Sequence, residues 1–308
     1  MRKIIVVAGP TAVGKTKYAI EAAKAFGGEV VSCDSMQLYK YMDIGSAKPT
    51  SEELAQVPHH LVDLIDPADA FSVAEYQRLA KQAIEDIFAR GKVPVIAGGT
   101  GLYLNSILYD MDFSNAKSDQ NLRLKLEKDA EELGPEHLHK KLAELDFEAS
   151  IRIHPNNVKK VIRAIEGALA GDNIKDFKEC NTKVKEYDRI LIGLIRDREE
   201  LYDRINKRVD ILVEQGLFGE VKGLLEKGLT ESDISMKGIG YKEIIGYFDG
   251  KYSEEEAIDL IKKNTRHLAK RQITWFKRYE DIKWIDISQY ENDEKAIEGM
   301  LEWLKSVY

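Results

Sequence analysis

Residues Gly9-Pro10-Thr11-Ala12-Val13-Gly14-Lys15-Thr16 spell G-x-x-x-x-G-K-[ST], and the residues on either side fix the local fold. Lys3-Ile4-Ile5-Val6-Val7-Ala8 is an apolar, largely β-branched run that reads as a buried strand. Lys17 to Phe26 reads as a helix. Strand, glycine loop and helix in this order form a phosphate cradle. Glycine lets the backbone curl until its N–H groups converge on phosphate oxygens, and the helix N-terminus adds partial positive charge. In such a loop Lys15 holds the terminal phosphates and the Thr16 hydroxyl is a ligand for Mg²⁺. An ordinary glycine turn is the competing reading, but it would not need this strand and helix. The loop specifies a polyphosphate without saying which one.

Short apolar runs alternate with helical patterns through the first third of the chain. Glu29–Cys33 reads as a second strand ending at Asp34, and Leu61–Leu64 as a weaker third. Val93–Ala97 reads as a fourth, ending in Gly98-Gly99-Thr100-Gly101. A helix opened by a Ser72/Glu75 capping box and closed at Gly91 lies between the last two. This alternation predicts βαβ units and a mostly parallel sheet, with ligands beyond the carboxyl ends of the strands. Gly9–Thr16, Asp34 and Gly98–Gly101 all fall at such ends. From Lys117 to Asn181 no strand pattern is found. Leu122, Leu126, Leu133, Leu138, Leu142 and Leu145 recur at helical spacing, and Asp172 to Tyr187 reads as a polar connection. Arg189–Ile195 returns to strand character. Helices are predicted over Glu199–Gln215, Phe218–Lys227 and Ser253–Arg278, with a last strand at Ile282–Ile285.

Enzymes that use this loop on nucleotides usually hold Mg²⁺ with an acid after an apolar strand. Val93–Ala97 ends instead in glycines and Thr100. The acid that does end a strand is Asp34, followed by Ser35-Met36-Gln37-Leu38-Tyr39. Its carboxylate can be a Mg²⁺-associated group or a general base. It can equally be a helix cap or turn residue, and spacing alone leaves both open. The formal net charge of −7 means that any nucleic-acid surface must be local. One candidate is visible: Lys262, Lys263, Arg266, Lys270, Arg271, Lys277 and Arg278 share a stretch that contains no acid. Lys263, Arg266, Lys270, Thr274 and Lys277 form one helical stripe there, suited to RNA phosphates. Leu268, Gln272, Trp275 and Tyr279 lie on another face, expected to pack on the core. A solvated helix face is the alternative. Two distant cysteines, Cys33 and Cys180, and six scattered histidines give no metal-ligand spacing.

Taken in order, GPTAVGKT (9–16), DSMQLY (34–39), MDIGSAKP (42–49), GGTGLY (98–103), HPN (154–156) with Arg163, GIGY (238–241) and AKRQITW (269–275) resemble the tRNA dimethylallyltransferase (isopentenyl transferase) family. The resemblance spans nearly the whole chain. It implies transfer of a dimethylallyl group from dimethylallyl diphosphate to N6 of adenosine 37 in tRNAs that read codons beginning with U, with release of diphosphate. Gly9, Pro10, Thr11, Ala12, Val13, Gly14, Lys15 and Thr16 would then hold a leaving group. Lys15 and Thr16 would act in catalysis, Thr16 through Mg²⁺, and Asp34 would match the general base. Asp34, Ser35, Met36, Gln37 and Thr100 would contact the extruded base or its neighbours, and Arg123, Arg163, Lys263, Arg266 and Lys270 the rest of the tRNA. For Arg163 a diphosphate contact or a structural ion pair is an equal alternative. The zinc finger of some eukaryotic relatives is absent, since Cys33 and Cys180 are the only cysteines.

The expected fold class is α/β, a P-loop NTPase-like, mostly parallel sheet flanked by helices, with a helical insertion domain. Residues 1–111 and 188–308 are expected to form the catalytic core, and 112–187 an insertion that contacts tRNA. The expected partners are a tRNA anticodon stem-loop and dimethylallyl diphosphate, with Mg²⁺ as cofactor. No apolar run is long enough to span a membrane. Met1-Arg2-Lys3 runs straight into the first strand, so a cytoplasmic protein without a leader is expected, acting as a monomer. Two other activities fit the loop: a small-molecule P-loop kinase, and prenyl transfer to a free adenine nucleotide. A nucleotide-dependent RNA-binding switch is a non-enzymatic third, though no guanine-reading N-K-x-D segment is present.

Overall fold

The computed structural model describes residues 2–111, 120–171 and 182–308. The first half of the core comprises β1 (Lys3–Ala8), α1 (Lys15–Ala25), β2 (Gly28–Cys33), α2 (Ser51–Leu54), β3 (His59–His60), α3 (Val73–Ala89), β4 (Val93–Gly98) and α4 (Gly101–Leu108). Four helices follow: α5 (Gln120–Leu133), α6 (Pro135–Leu145), α7 (Phe147–Arg152) and α8 (Val158–Leu169). The chain continues through β5 (Asp188–Ile195), α9 (Arg198–Glu214), α10 (Leu217–Glu226), α11 (Tyr241–Phe248), α12 (Glu254–Phe276), β6 (Ile282–Asp286) and α13 (Asp293–Val307). The six strands form one sheet in the order β3-β2-β4-β1-β5-β6, and every ladder in it is parallel.

Register places the functional ends together. Ala8 pairs with Gly98 on one side and Gly193 on the other, and Cys33 pairs with the same Gly98. The three loops that leave β1, β2 and β4 therefore emerge at one level, above the carboxyl edge where α/β sheets bind ligands. β1 is central and buried throughout beyond Lys3, as a parallel strand covered on both faces must be. One apolar cluster joins Ile5, Val7, Ile192 and Leu194 to Tyr18 and Ala22 of α1 and to Met300 and Leu304 of α13. A second, built on Val209, Leu217, Val221, Tyr241, Ile244 and Ile261, fastens α9 to α12.

The chain divides into two compact units, 1–108 with 184–308, and 109–183. The second has its own core of Leu126, Leu138, Leu142, Val161 and Ile165. Of its evenly spaced leucines, Leu133 and Leu145 remain exposed. Each ends its helix, where the apolar face is no longer covered.

The third strand differs from expectation. Only His59 and His60 pair, with Val30 and Val31. Leu61 and Asp63 have φ of 62° and 55°, a left-handed backbone that cannot continue a strand. α4, α11 and α13 are additional to the elements read from sequence. Tyr187, expected in a polar connection, is buried and donates its hydroxyl hydrogen bond to the Ile107 carbonyl at 2.8 Å. Residues 172–181 of that connection, with Cys180, lie outside the described residues, as do 112–119 with Lys117. Cys33 is buried.

Candidate active site

The loop after β1 is held from its carbonyl side. Arg204 of α9 donates Nε–H to the Ala12 carbonyl at 3.1 Å, and Arg196, just beyond β5, donates to the Val13 carbonyl at 3.3 Å. Arg196 is fixed in turn by Glu200 and Asp293. Ala12 has φ 63° and Gly14 has φ 107°. Glycine tolerates that conformation freely, whereas alanine holds it under strain of the sort found at functional loops. α1 has no acid in its first turn, so the positive end of its dipole is left uncompensated for an anion. Lys15 is half-buried and donates to the Pro10 carbonyl at 2.8 Å. Loss of hydration pushes its ammonium down to about 8; Asp34 opposes that shift and Arg208 adds to it. Thr16 follows at the same helix start, half-buried.

Beside this loop stands the end of β2. Asp34 Oδ1 accepts the Met36 N–H at 2.9 Å. The turn-forming role and the presence of a carboxylate at the site thus coexist in one residue. The Ser35 N–H donates to Thr100 Oγ1 at 3.2 Å, and the Thr100 N–H donates to the Cys33 carbonyl at 3.2 Å. The two strand ends are thereby tied together. Gln37 accepts from the Ser32 hydroxyl at 3.0 Å and donates to the Ala47 carbonyl at 3.3 Å, which pins the loop that follows. The Cys33 thiol is pushed up to about 12 by burial, so it remains a protonated, unreactive thiol.

Both loops open into one cavity of about 490 Å³. Thr11, Lys15, Asp34, Thr100, Arg208 and Arg271 provide its polar wall. Val209, Leu212, Leu217, Ile239, Ile261 and Leu268 give it an apolar lining as well. Gly45, Ser46 and Ala47 complete it. That loop is anchored by Glu220 of α10, whose carboxylate accepts the N–H groups of Asp43, Ile44 and Gly45 at 2.7–2.9 Å and the Tyr241 hydroxyl at 2.8 Å.

Arg208 is the site residue that sequence reasoning missed. Burial lowers its pKa, and the Asp34 carboxylate is the first group opposing that fall. The available signal was Arg204 and Arg208 one turn apart on a helix whose next face is core. Gln272 and Trp275, expected against the core, pack on its loops at Thr11, Gly99 and Gly101 and also line the cavity.

The cationic stripe on α12 is divided. Arg266 is half-buried and donates to Asn206 Oδ1 at 2.6 Å, and Lys262 pairs with Asp210 at 2.6 Å. Lys263 and Lys270 are exposed. Lys270 lines an outer cavity of about 510 Å³ with His267, Arg271, Thr274, Trp275 and Arg278. Within the 109–183 unit, Arg123 makes a two-pronged pair with Glu166 at 3.1 and 2.8 Å, which raises its pKa. Arg163 is exposed. Among the described residues no cluster of three or more His, Cys, Asp or Glu is placed to hold a metal, and no helix is long and apolar enough to cross a membrane.

Comparison with known proteins agrees over the whole length. The sequence model of the IPP transferase family matches residues 37–279. The tRNA dimethylallyltransferase of Alkaliphilus oremlandii (strain OhILAs) is 52% identical over 305 residues, covering 99% of this chain and 97% of that protein. That of Clostridioides difficile (strain 630) is 50% identical over 99% of both chains. Among solved structures, the tRNA isopentenylpyrophosphate transferase of Bacillus halodurans superposes with a TM-score of 0.75 at 42% identity, covering 99% of this chain and 96% of that one. A eukaryotic dimethylallyltransferase acting on tRNA gives a TM-score of 0.83 at 30% identity, covering 99% and 80%. With the β1 loop, the strand-end carboxylate and this full-length similarity together, the chain belongs to the IPP transferase family.

Proposed function

We propose that this protein transfers the dimethylallyl group of dimethylallyl diphosphate to N6 of adenosine 37 in tRNAs that read codons beginning with U. The observation that carries the reading is the single cavity onto which Lys15, Asp34, Thr100 and Arg208 all open. It offers cations for a leaving diphosphate and a carboxylate for an incoming amine. Its apolar wall suits a five-carbon hydrocarbon.

In the reaction the N6–C1 bond forms as the C1–O bond breaks. The electron pair of that C–O bond leaves with diphosphate. Lys15, Arg208 and the N-terminus of α1 meet charge that grows on the diphosphate, so they bind the transition state more tightly than the substrate. The exocyclic amine is a weak nucleophile because its lone pair is conjugated with the ring. Asp34 accepts its proton as the C–N bond forms. Adenine stacked in an anticodon loop cannot reach a recessed diphosphate ester, so the base must be turned out of the stack. Thr100 and Ser35 border its place.

The Thr16 hydroxyl is a hard oxygen donor that would hold Mg²⁺, an ion that binds through few protein oxygens where a substrate phosphate is present. When bound, the ion neutralises charge on the leaving diphosphate. Lys270, Lys263 and the outer cavity of α12, with Arg163 in the insertion, are proposed to follow the tRNA backbone. The enzyme is proposed to act as a cytoplasmic monomer.

The test is incubation with dimethylallyl diphosphate, Mg²⁺ and unmodified tRNA carrying A36-A37-A38, followed by nucleoside mass analysis. Adenosine heavier by one dimethylallyl group is expected, at position 37 alone. Robust nucleoside-triphosphate consumption with unmodified adenosine would instead make the protein a P-loop kinase or switch.

A further inference from the structure

Gln272 lies near the C-terminal end of α12, and both ends of its amide are engaged far away in sequence. Its Oε1 accepts the Thr11 N–H of the β1 loop at 2.9 Å. Its Nε2 donates to the Gly99 carbonyl at 3.0 Å. The amide can sit only one way round, because an N–H can only donate and a carbonyl can only accept. Gln272 therefore bridges the diphosphate loop and the turn at the end of β4.

That turn continues directly into the base site. Thr100 follows Gly99, donates its N–H to Cys33 and accepts the Ser35 N–H on its hydroxyl. Asp34 stands between Cys33 and Ser35. Polar contacts thus run from Thr11 through Gln272 to Gly99, and from the adjacent Thr100 to Cys33 and Ser35, the two residues that flank Asp34.

The fit is close. A Cβ on Gly99 would collide with the Gln272 amide, and a Cβ on Gly101 would run into the Trp275 indole. The glycines of 98–101 and the Gln and Trp of α12 are mating surfaces. α12 also presents Arg271 and Trp275 to both cavities.

We infer that Gln272 is a positioning residue that sets the distance and angle between the leaving-group loop and the carboxylate that receives the amine proton. This inference rests on the prenyl-transfer reading above. Both ends of the Gln272 amide are bonded to protein, so it acts through Thr11 and Gly99. It holds an N–H near the start of the loop, leaving the N–H groups from Ala12 onward and the Lys15 ammonium to the diphosphate.

The test compares Gln272→Glu and Gln272→Met with the wild type. Glutamate keeps the acceptor for Thr11 but sets an oxygen against the Gly99 carbonyl; methionine keeps the shape and loses both bonds. Small misplacement of reacting groups costs about 10²-fold in rate. A kcat lower by about that factor is expected, with KM for dimethylallyl diphosphate, Kd for tRNA and melting temperature close to wild type. In an Asp34→Asn background the same substitutions should cost much less, because the group they misplace is already gone. Should Gln272→Glu fail to fold, Gln272→Met carries the same comparison. Full wild-type kcat in both variants, or penalties that simply add in the Asp34→Asn background, would overturn the inference. Wild-type protein without any transfer would overturn the reaction and this inference together, which separates the two failures.

Discussion

Asp34 and Lys15 define what the site can do one residue at a time. Asp34→Asn keeps the turn oxygen that accepts the Met36 N–H but removes the proton acceptor. Single-turnover transfer should fall by about 10²–10⁴-fold, with tRNA affinity by filter binding retained; a near-normal rate would remove Asp34 from that role. Lys15 makes a pH prediction. Its ammonium is pushed down to about 8, and its proposed role toward diphosphate needs the protonated form. Diphosphate affinity by calorimetry should fall as pH rises through that value, and Lys15→Ala should lose this break. Folding stability moves the other way. Between the folded value near 8 and the ordinary 10.5 the unfolded chain holds a proton that the folded chain has released, so this residue's contribution rises with pH there. Both residues were legible in sequence because each sits within a local motif. Arg208 and Gln272 were not: Gln272 reaches Thr11 across 261 positions, and only the fold brings them together.

α12 shows how one helix divides its charges between two tasks. Arg266, held by Asn206 of α9, faces the protein, while Lys270 lines the outer cavity. Lys270→Ala should lower the salt slope of tRNA binding by about one phosphate contact and leave thermal stability unchanged. Arg266→Ala should lower the melting temperature instead, because the amide of Asn206 loses its partner. Equal salt slopes for Lys270→Ala and wild type would return this face to plain solvation. The helix itself was readable from its Ser253/Glu256 capping box, which the structure contains. α4 was not readable, because Tyr103 to Leu108 are all buried and a helix covered on every side has no period to detect. α11 follows two glycines in Gly238–Gly240 and spans eight residues, too short for a repeating face. β3 is two residues long and was misplaced because the apolar run beside it turns left-handed.

At the scale of the whole molecule, the 109–183 unit is an insertion between Leu108 and Val184 of the core. The Val184 N–H bonds to the Leu108 carbonyl at 3.3 Å, so the ends of the core are already adjacent. Replacing 109–183 by a short glycine–serine turn should give a folded core, since its sheet and both apolar clusters are complete without that segment. Mg²⁺-diphosphate binding should persist and tRNA affinity should fall; loss of cooperative melting would show that the core needs the insertion. The layout of the core was legible because alternating strands and helices dictate a parallel sheet, whereas strand order is a property of the closed fold.

A second group of backbone donors lies away from the β1 loop. Three consecutive N–H groups of Asp43, Ile44 and Gly45 converge as they would on a phosphate, but Glu220 already fills them. The protein carries its own plug for a decoy receptor. An anion is offered the β1 loop rather than this second group of donors, because Glu220 occupies them from within.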